Sequence, residues 1–69
     1  MSMMNIVLNG EPYSLEEGCC LEQLLQILDL ERRRIAVEVN QEIVPRSQYG
    51  QYQIQSEDAV EIVAAIGGG

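Results

Sequence analysis

Sixty-nine residues with eleven acids, four arginines, no lysine and no histidine give a formal net charge of −7. A chain this short buries only about 60% of the surface its unfolded form exposes, so residues 1–69 make one domain with a small core and too little depth for an active site of its own. Without histidine the usual general base and commonest metal ligand are missing, and without a basic face nucleic acid is disfavoured; the expectation is a non-enzyme that binds no metal and no cofactor.

The N-terminal Met1-Ser2-Met3-Met4-Asn5 has neither a basic nor a long apolar region, so no signal peptide is read. No apolar run nears the ~18 residues that span a bilayer, and a cytoplasmic protein without membrane contact is expected. Met4, Ile6 and Leu8 alternate with polar or opposite-facing neighbours, which predicts a strand. Asn9-Gly10 is a hairpin turn signal and Pro12 to Leu15 the short return strand, broken by Glu16-Glu17-Gly18.

Leu21, Leu24, Leu25 and Leu28 recur at i, i+3, i+4 and i+7 and predict an amphipathic helix. The charged stretch Asp29 to Arg34 ends it. Ile35, Val37 and Val39 alternate in a third strand, Gln41 to Val44 continue after a turn, and Pro45 stops them. Ser47 to Ser56 is polar and reads as loop or a short helical turn. Glu57-Asp58 turns the chain into a last strand, Ala59 to Ile66. Twenty Leu, Ile and Val residues supply the core. A hairpin, a crossing helix and a final strand lying parallel to the first at the centre of the sheet make an α+β fold, the β-grasp (ubiquitin-like) arrangement. Its sheet is mixed, of four to five strands, with one main helix on one face.

Gly67-Gly68-Gly69 follow the apolar run Val60 to Ile66 directly. Glycine loses the most backbone freedom on ordering, so residues 67–69 are expected to be a flexible arm in the free protein. Such an arm, bare of side chains, suits a tunnel that any Cβ would block, and it carries the terminal carboxylate.

Three segments together resemble one family. Gly18-Cys19-Cys20-Leu21-Glu22-Gln23-Leu24-Leu25 is similar to a Gly-x-Thr-apolar-x-x-Leu-Leu pattern. Val39-Asn40-Gln41-Glu42-Ile43-Val44-Pro45-Arg46 is similar to Val-Asn-x-x-Ile-Val-Pro-Arg. Val60 to Val63 with the glycine end matches a last strand and tail. These are features of the sulfur carrier proteins of thiamine biosynthesis, the ThiS family, and the resemblance covers nearly the whole chain from Met4. It implies that an adenylyltransferase of the ubiquitin-activating-like family uses ATP and magnesium to adenylate the Gly69 carboxylate. A sulfur-donating desulfurase system then gives a thiocarboxylate, and thiazole synthase receives the sulfur. Gly67 and Gly68 would thread into the partner. The small subunit of molybdopterin synthase shares this chemistry and is the near alternative; a β-grasp interaction module with an inert tail, or a protein-conjugating modifier, are the others.

Several residues stand outside that pattern. Adjacent cysteines pair only with strain, so Cys19 and Cys20 are expected to be free. Cys20 stands where the family has Thr, at the helix N-cap, and is expected to be a small buried filler. Tyr49 and Tyr52 are expected to pack over the core edge. Arg46 either pairs with an acid of the body or contacts a partner; the sequence does not choose. Alternation leaves Val7, Val63 and Ala65 on the sheet face away from the helix, beside Glu61. They are expected to form one apolar strip with an acidic edge, a partner docking face.

Overall fold

A computed structural model of the chain describes residues 2–64. Ala65, Ile66 and the expected glycine arm lie outside the described residues. Five strands, β1 (Met3–Leu8), β2 (Glu11–Glu16), β3 (Ile35–Val39), β4 (Glu42–Val44) and β5 (Ala59–Ala64), form one sheet in the order β2-β1-β5-β3-β4. β1 and β5 run parallel, while β1–β2, β3–β4 and β3–β5 are antiparallel. The single helix α1 (Leu21–Ile27) and a 3₁₀ turn at Arg46–Gln48 complete it. This is the β-grasp arrangement expected from the periodicity, with β5 as the central strand.

The period-2 alternation decides what each strand buries. Met4 and Ile6 of β1, Leu15 of β2, Val37 and Val39 of β3, Val44 of β4, and Val60 and Ile62 of β5 point inward. They meet Leu21, Leu24 and Leu25 of α1, each almost wholly excluded from water. Ile54, Cys19 and Tyr49 close the layer from the connecting segments. Leu8, the last residue of β1, is half-buried and packs against the edge of the core.

Both hairpin turns use left-handed residues. Asn9 (φ 50°) and Gly10 (φ 85°) join β1 to β2, and Asn40 (φ 53°) and Gln41 (φ 71°) join β3 to β4. Two successive positive φ values are the signature of the type I′ turn, whose twist matches paired strands. β2 runs one residue further at each end than its apolar pattern suggests, because pairing with β1 extends to Glu11 and Glu16.

α1 begins in a capping box. Cys20 holds the extended N-cap conformation, and Gln23 Oε1 accepts its backbone N–H at 3.0 Å. The other half of the box presents sulfur to the Gln23 backbone N–H, where a hydroxyl would be the better acceptor. The helix ends in a Schellman motif. Leu28 is the C-cap and Asp29 takes the left-handed position (φ 60°) usually given to glycine. The Leu30 N–H donates to Leu25 O at 2.8 Å and the Asp29 N–H to Gln26 O at 3.1 Å. Leu30 then packs against the core and leads into the arginine run.

Candidate functional site

The segment that matters is β5, because it carries the glycine end. β3 pairs along nearly all of it, from Ile35 opposite Ala64 to Val39 opposite Val60, and β1 along its start, at Ala59 and Val60. The parallel ladder with β1 is short, since β1 turns away at Asn9. Val7 N–H donates to Asp58 O and Asn9 N–H to Val60 O, both at 2.9 Å. The next rung would need a carbonyl that the turn has carried off. Asn9 supplies it from its side chain: Oδ1 accepts the Ile62 N–H at 2.8 Å. One residue thus makes the turn and fastens the outgoing half of the tail-bearing strand.

The start of β5 is fixed by a second asparagine. Asn40 Nδ2 donates to Asp58 Oδ1 at 3.0 Å, and Asn40 Oδ1 accepts the Ala59 N–H at 3.0 Å. Asp58, nearly buried, also accepts the Gln55 N–H at 2.8 Å through its other oxygen. The Val-Asn-x-x-Ile-Val-Pro-Arg segment therefore divides its work. Asn40 ties the β3–β4 turn to β5. Val44 fills the core, Pro45 caps the 3₁₀ turn, and Ile43 is left on the outer face. Arg46 resolves the choice the sequence left open, among the described residues, in favour of the body, but through carbonyls and not through an acid. Its guanidinium donates to Arg33 O at 2.9 Å and Glu31 O at 3.4 Å, and lies over the Tyr49 ring 5.8 Å from its centroid.

On the outer face Val7, Glu61 and Val63 are exposed, as alternation requires, while Ala65 lies outside the described residues. Register corrects the expected single strip. Val7 sits opposite Ala59, so Val63 lies four residues further along β5, about 13 Å away. Between them Glu61 stands directly opposite Glu38. The face is thus two apolar islands divided by a carboxylate pair: Val7 with Pro12 and Ala59, and Val63 with Ala36. Ile43 lies beside Glu38 on β4. Like charges directly opposed are unfavourable in isolation.

Cys20 is the helix N-cap, as expected, but it is not the buried filler. Cys19 is the buried one and Cys20 is half-buried at the cap; both are free. Cys19 Sγ donates to Cys20 O at 3.5 Å. Burial pushes its thiol up from the ordinary value, with the neighbouring Cys20 and Glu16 adding to the shift. A thiol held protonated is a poor nucleophile. Tyr49 is buried and Tyr52 half-buried against the core, the packing role expected of them. Among the described residues no group of three His, Cys, Asp or Glu side chains is placed to hold a metal, and no helix is long and apolar enough to cross a membrane.

The sequence model of the ThiS family matches residues 6–69, from β1 through the last glycine. The chain belongs to the ThiS family. Among its relatives is the sulfur carrier protein ThiS of Escherichia coli (strain K12), 33% identical over 66 residues, covering 96% of this chain and 100% of that protein. The thiazole synthase of Paramagnetospirillum magneticum is 46% identical over 66 residues, covering 96% of this chain. The chain spans only 20% of that synthase, so in it a ThiS-like stretch is one part of a longer polypeptide. A crystal structure of the thiamine biosynthesis protein ThiS from Geobacter metallireducens superposes with a TM-score of 0.84 at 30% identity, covering 96% of this chain and 100% of that one.

Asn9 and Asp58 are the ThiS-fold residues that sequence reasoning passed over as turn formers. Asn-Gly and Glu-Asp are legible as turns, but nothing in a single sequence says which backbone amide a turn side chain will meet.

Proposed function

We propose that this chain is a cytoplasmic sulfur carrier for thiazole formation in thiamine biosynthesis. The observation that carries the reading is the extent of the family match, which runs through Gly69. Alignment with the Escherichia coli sulfur carrier over that protein's full length supports it.

The chemistry follows from what a terminal carboxylate lacks. It is a poor electrophile until one oxygen becomes part of a good leaving group. An adenylyltransferase of the ubiquitin-activating-like family supplies that step with ATP and magnesium, forming the Gly69 acyl adenylate and releasing pyrophosphate. A desulfurase system delivers sulfur as a persulfide, whose outer sulfur displaces AMP; a thiol then reduces the S–S bond and leaves the end a thiocarboxylate. The carrier then holds reduced sulfur covalently until thiazole synthase takes it. A ThiS-like stretch inside a thiazole synthase polypeptide supports that partner, since two proteins that hand on one group gain from being tethered.

In this reading Gly67 and Gly68 thread the partner's channel, and the chain's own residues provide rigidity behind them. β5 is clamped at Ala59 by Asn40 and at Ile62 by Asn9, so the arm leaves from a fixed point. The exposed Val7, Glu61 and Val63, with Ala65 beyond them, form the docking face. The test is ATP–pyrophosphate exchange by the cognate adenylyltransferase with the full chain and with a chain lacking Gly69. Exchange with the first and none with the second is expected. No exchange with the full chain would overturn the carrier reading and leave an interaction module; equal exchange by both would show that the reacting carboxylate need not be that of Gly69.

A further inference from the structure

We infer that the Arg32–Arg33–Arg34 loop and the groove beside it are a second contact surface, which receives an acidic collar around the channel of the adenylyltransferase. The inference rests on the carrier reading and adds to it where the partner must carry negative charge.

The observation is charge segregation. The chain has four cations and eleven acids, yet three of the cations are consecutive in the loop before β3. Ile35 pairs with Ala64, so this loop lies at the end of the sheet where β5 leaves for the glycine arm. The fourth cation, Arg46, binds the Glu31 and Arg33 carbonyls and fixes that loop. The opposite end of the sheet is acidic. Glu16 pairs with Met3, and the Glu57 N–H donates to Asn5 O. From Met3 to the level of Ala64 is about nine residues of strand in register, ~30 Å. On a protein of net charge −7 this gathers the cations at the end from which the arm leaves and leaves the other end purely acidic. Acids stand nearby as well: Asp29 and Glu31 precede the arginines, Glu22 lines the cleft beside Arg32 and Arg46, and Glu38 and Glu61 lie three residues back along the sheet, so what marks this end is the concentration of cations and not a net positive charge.

A groove of about 320 Å³ lies at this end, lined by Leu30, Ile35, Ile62 and Val63 together with Arg33 and Arg34. Val63 belongs both to the groove and to the outer sheet face, so the surface continues the proposed docking face around the sheet end. An apolar floor with guanidinium groups matches an acidic surface that also carries an apolar side chain.

Reach decides what the cations act on. The five residues Ala65 to Gly69, fully extended, span at most ~17 Å. Surface charges are screened within about 8 Å at physiological salt. Arginines at the base of the arm therefore act little on phosphates at its tip. They act on protein at the channel mouth, where like-for-unlike pairing speeds encounter and orients the carrier arm-first.

The test measures exchange kinetics against carrier concentration with the cognate adenylyltransferase, comparing the full chain with Arg32→Glu/Arg33→Glu. Equal far-ultraviolet circular dichroism and urea midpoint establish that the variant is folded. The expected result is a KM for the carrier raised about tenfold with kcat unchanged, because rim charges govern encounter and not the chemical step. The KM of the unmodified chain should also rise as salt increases from about 50 to 300 mM, and that of the variant should not. Arg32→Gln/Arg33→Gln should lie between them, and gives the same reading if the charge-reversed chain does not fold. An unchanged KM and salt response in the folded variant overturns the inference and leaves the carrier reading standing. Absence of exchange with the unmodified chain strikes the carrier reading itself, and this inference with it.

Discussion

Asn9 offers the sharpest test of how β5 is held. It contributes two separable things, a left-handed turn residue at φ 50° and an acceptor for the Ile62 N–H at 2.8 Å. Asn9→Gly keeps the first and removes the second. The bond is partly buried, so its loss should cost about 1–1.5 kcal/mol. Asn9→Ala loses the bond and also places a Cβ in the left-handed region, adding about 1 kcal/mol or more, for roughly 2–3 kcal/mol in all. Asn9→Asp retains an acceptor and tolerates the turn, and should stay nearest the parent. In a domain this small each kcal/mol moves Tm by about 4–8 °C, so the three variants separate in urea or thermal unfolding. Amide exchange at Ile62 gives a local reading, with about tenfold faster exchange expected in Asn9→Gly for each 1.4 kcal/mol lost. Parental stability in Asn9→Gly with unchanged exchange at Ile62 would refute the argument that the side chain completes the ladder.

Three further outcomes are expected. Cys20→Thr should stabilise the fold by about 0.5–1 kcal/mol in chemical denaturation, since a hydroxyl completes the capping box better than a thiol, with sulfur transfer unchanged; a loss in either would assign the thiol a role. Val63→Arg should leave the fold intact, the side chain being exposed, and weaken partner binding about tenfold, or ~1.4 kcal/mol, by calorimetry; unchanged affinity for both adenylyltransferase and thiazole synthase would remove Val63 from the interface. Burial raises the Cys19 thiol in the folded state, so the unfolded chain loses its proton first. Stability should then be fully present below the ordinary thiol range, about pH 8.5, and decline as pH rises through it toward the folded value. The urea midpoint of Cys19→Ala should fall less over the same alkaline interval, and parallel curves would show that this thiol does not set the slope.

The fold was legible because its signals are short-range and consistent. Alternation placed Met4, Ile6, Val37, Val39, Val60 and Ile62 inward, and the 3.6-residue spacing of Leu21, Leu24, Leu25 and Leu28 oriented the helix; three of those leucines are buried and Leu28 caps the end. Asn9-Gly10 announced the first hairpin. What alternation cannot give is register between strands far apart in sequence. Val7 and Val63 share a face by parity, but their offset along the sheet depends on where β5 meets β1, and that depends on Asn9, Asn40 and Asp58. The same limit hid the Glu38–Glu61 pair. The two cysteines are adjacent, so composition could not say which one the chain's path would turn inward. The arginine loop is visible in sequence as a helix terminator; only the pairing of Ile35 with Ala64 brings it to the base of the glycine arm.

The central claim is that Gly69 carries sulfur. Its most direct test is the intact mass of the C-terminal peptide from the protein isolated from native cells under non-reducing, sulfide-free conditions. The account predicts a population heavier by the difference between one sulfur and one oxygen, with fragment ions placing the change on Gly69, and its loss when the adenylyltransferase is deleted. A C-terminal peptide that remains an ordinary carboxylate in cells actively making thiamine would contradict it.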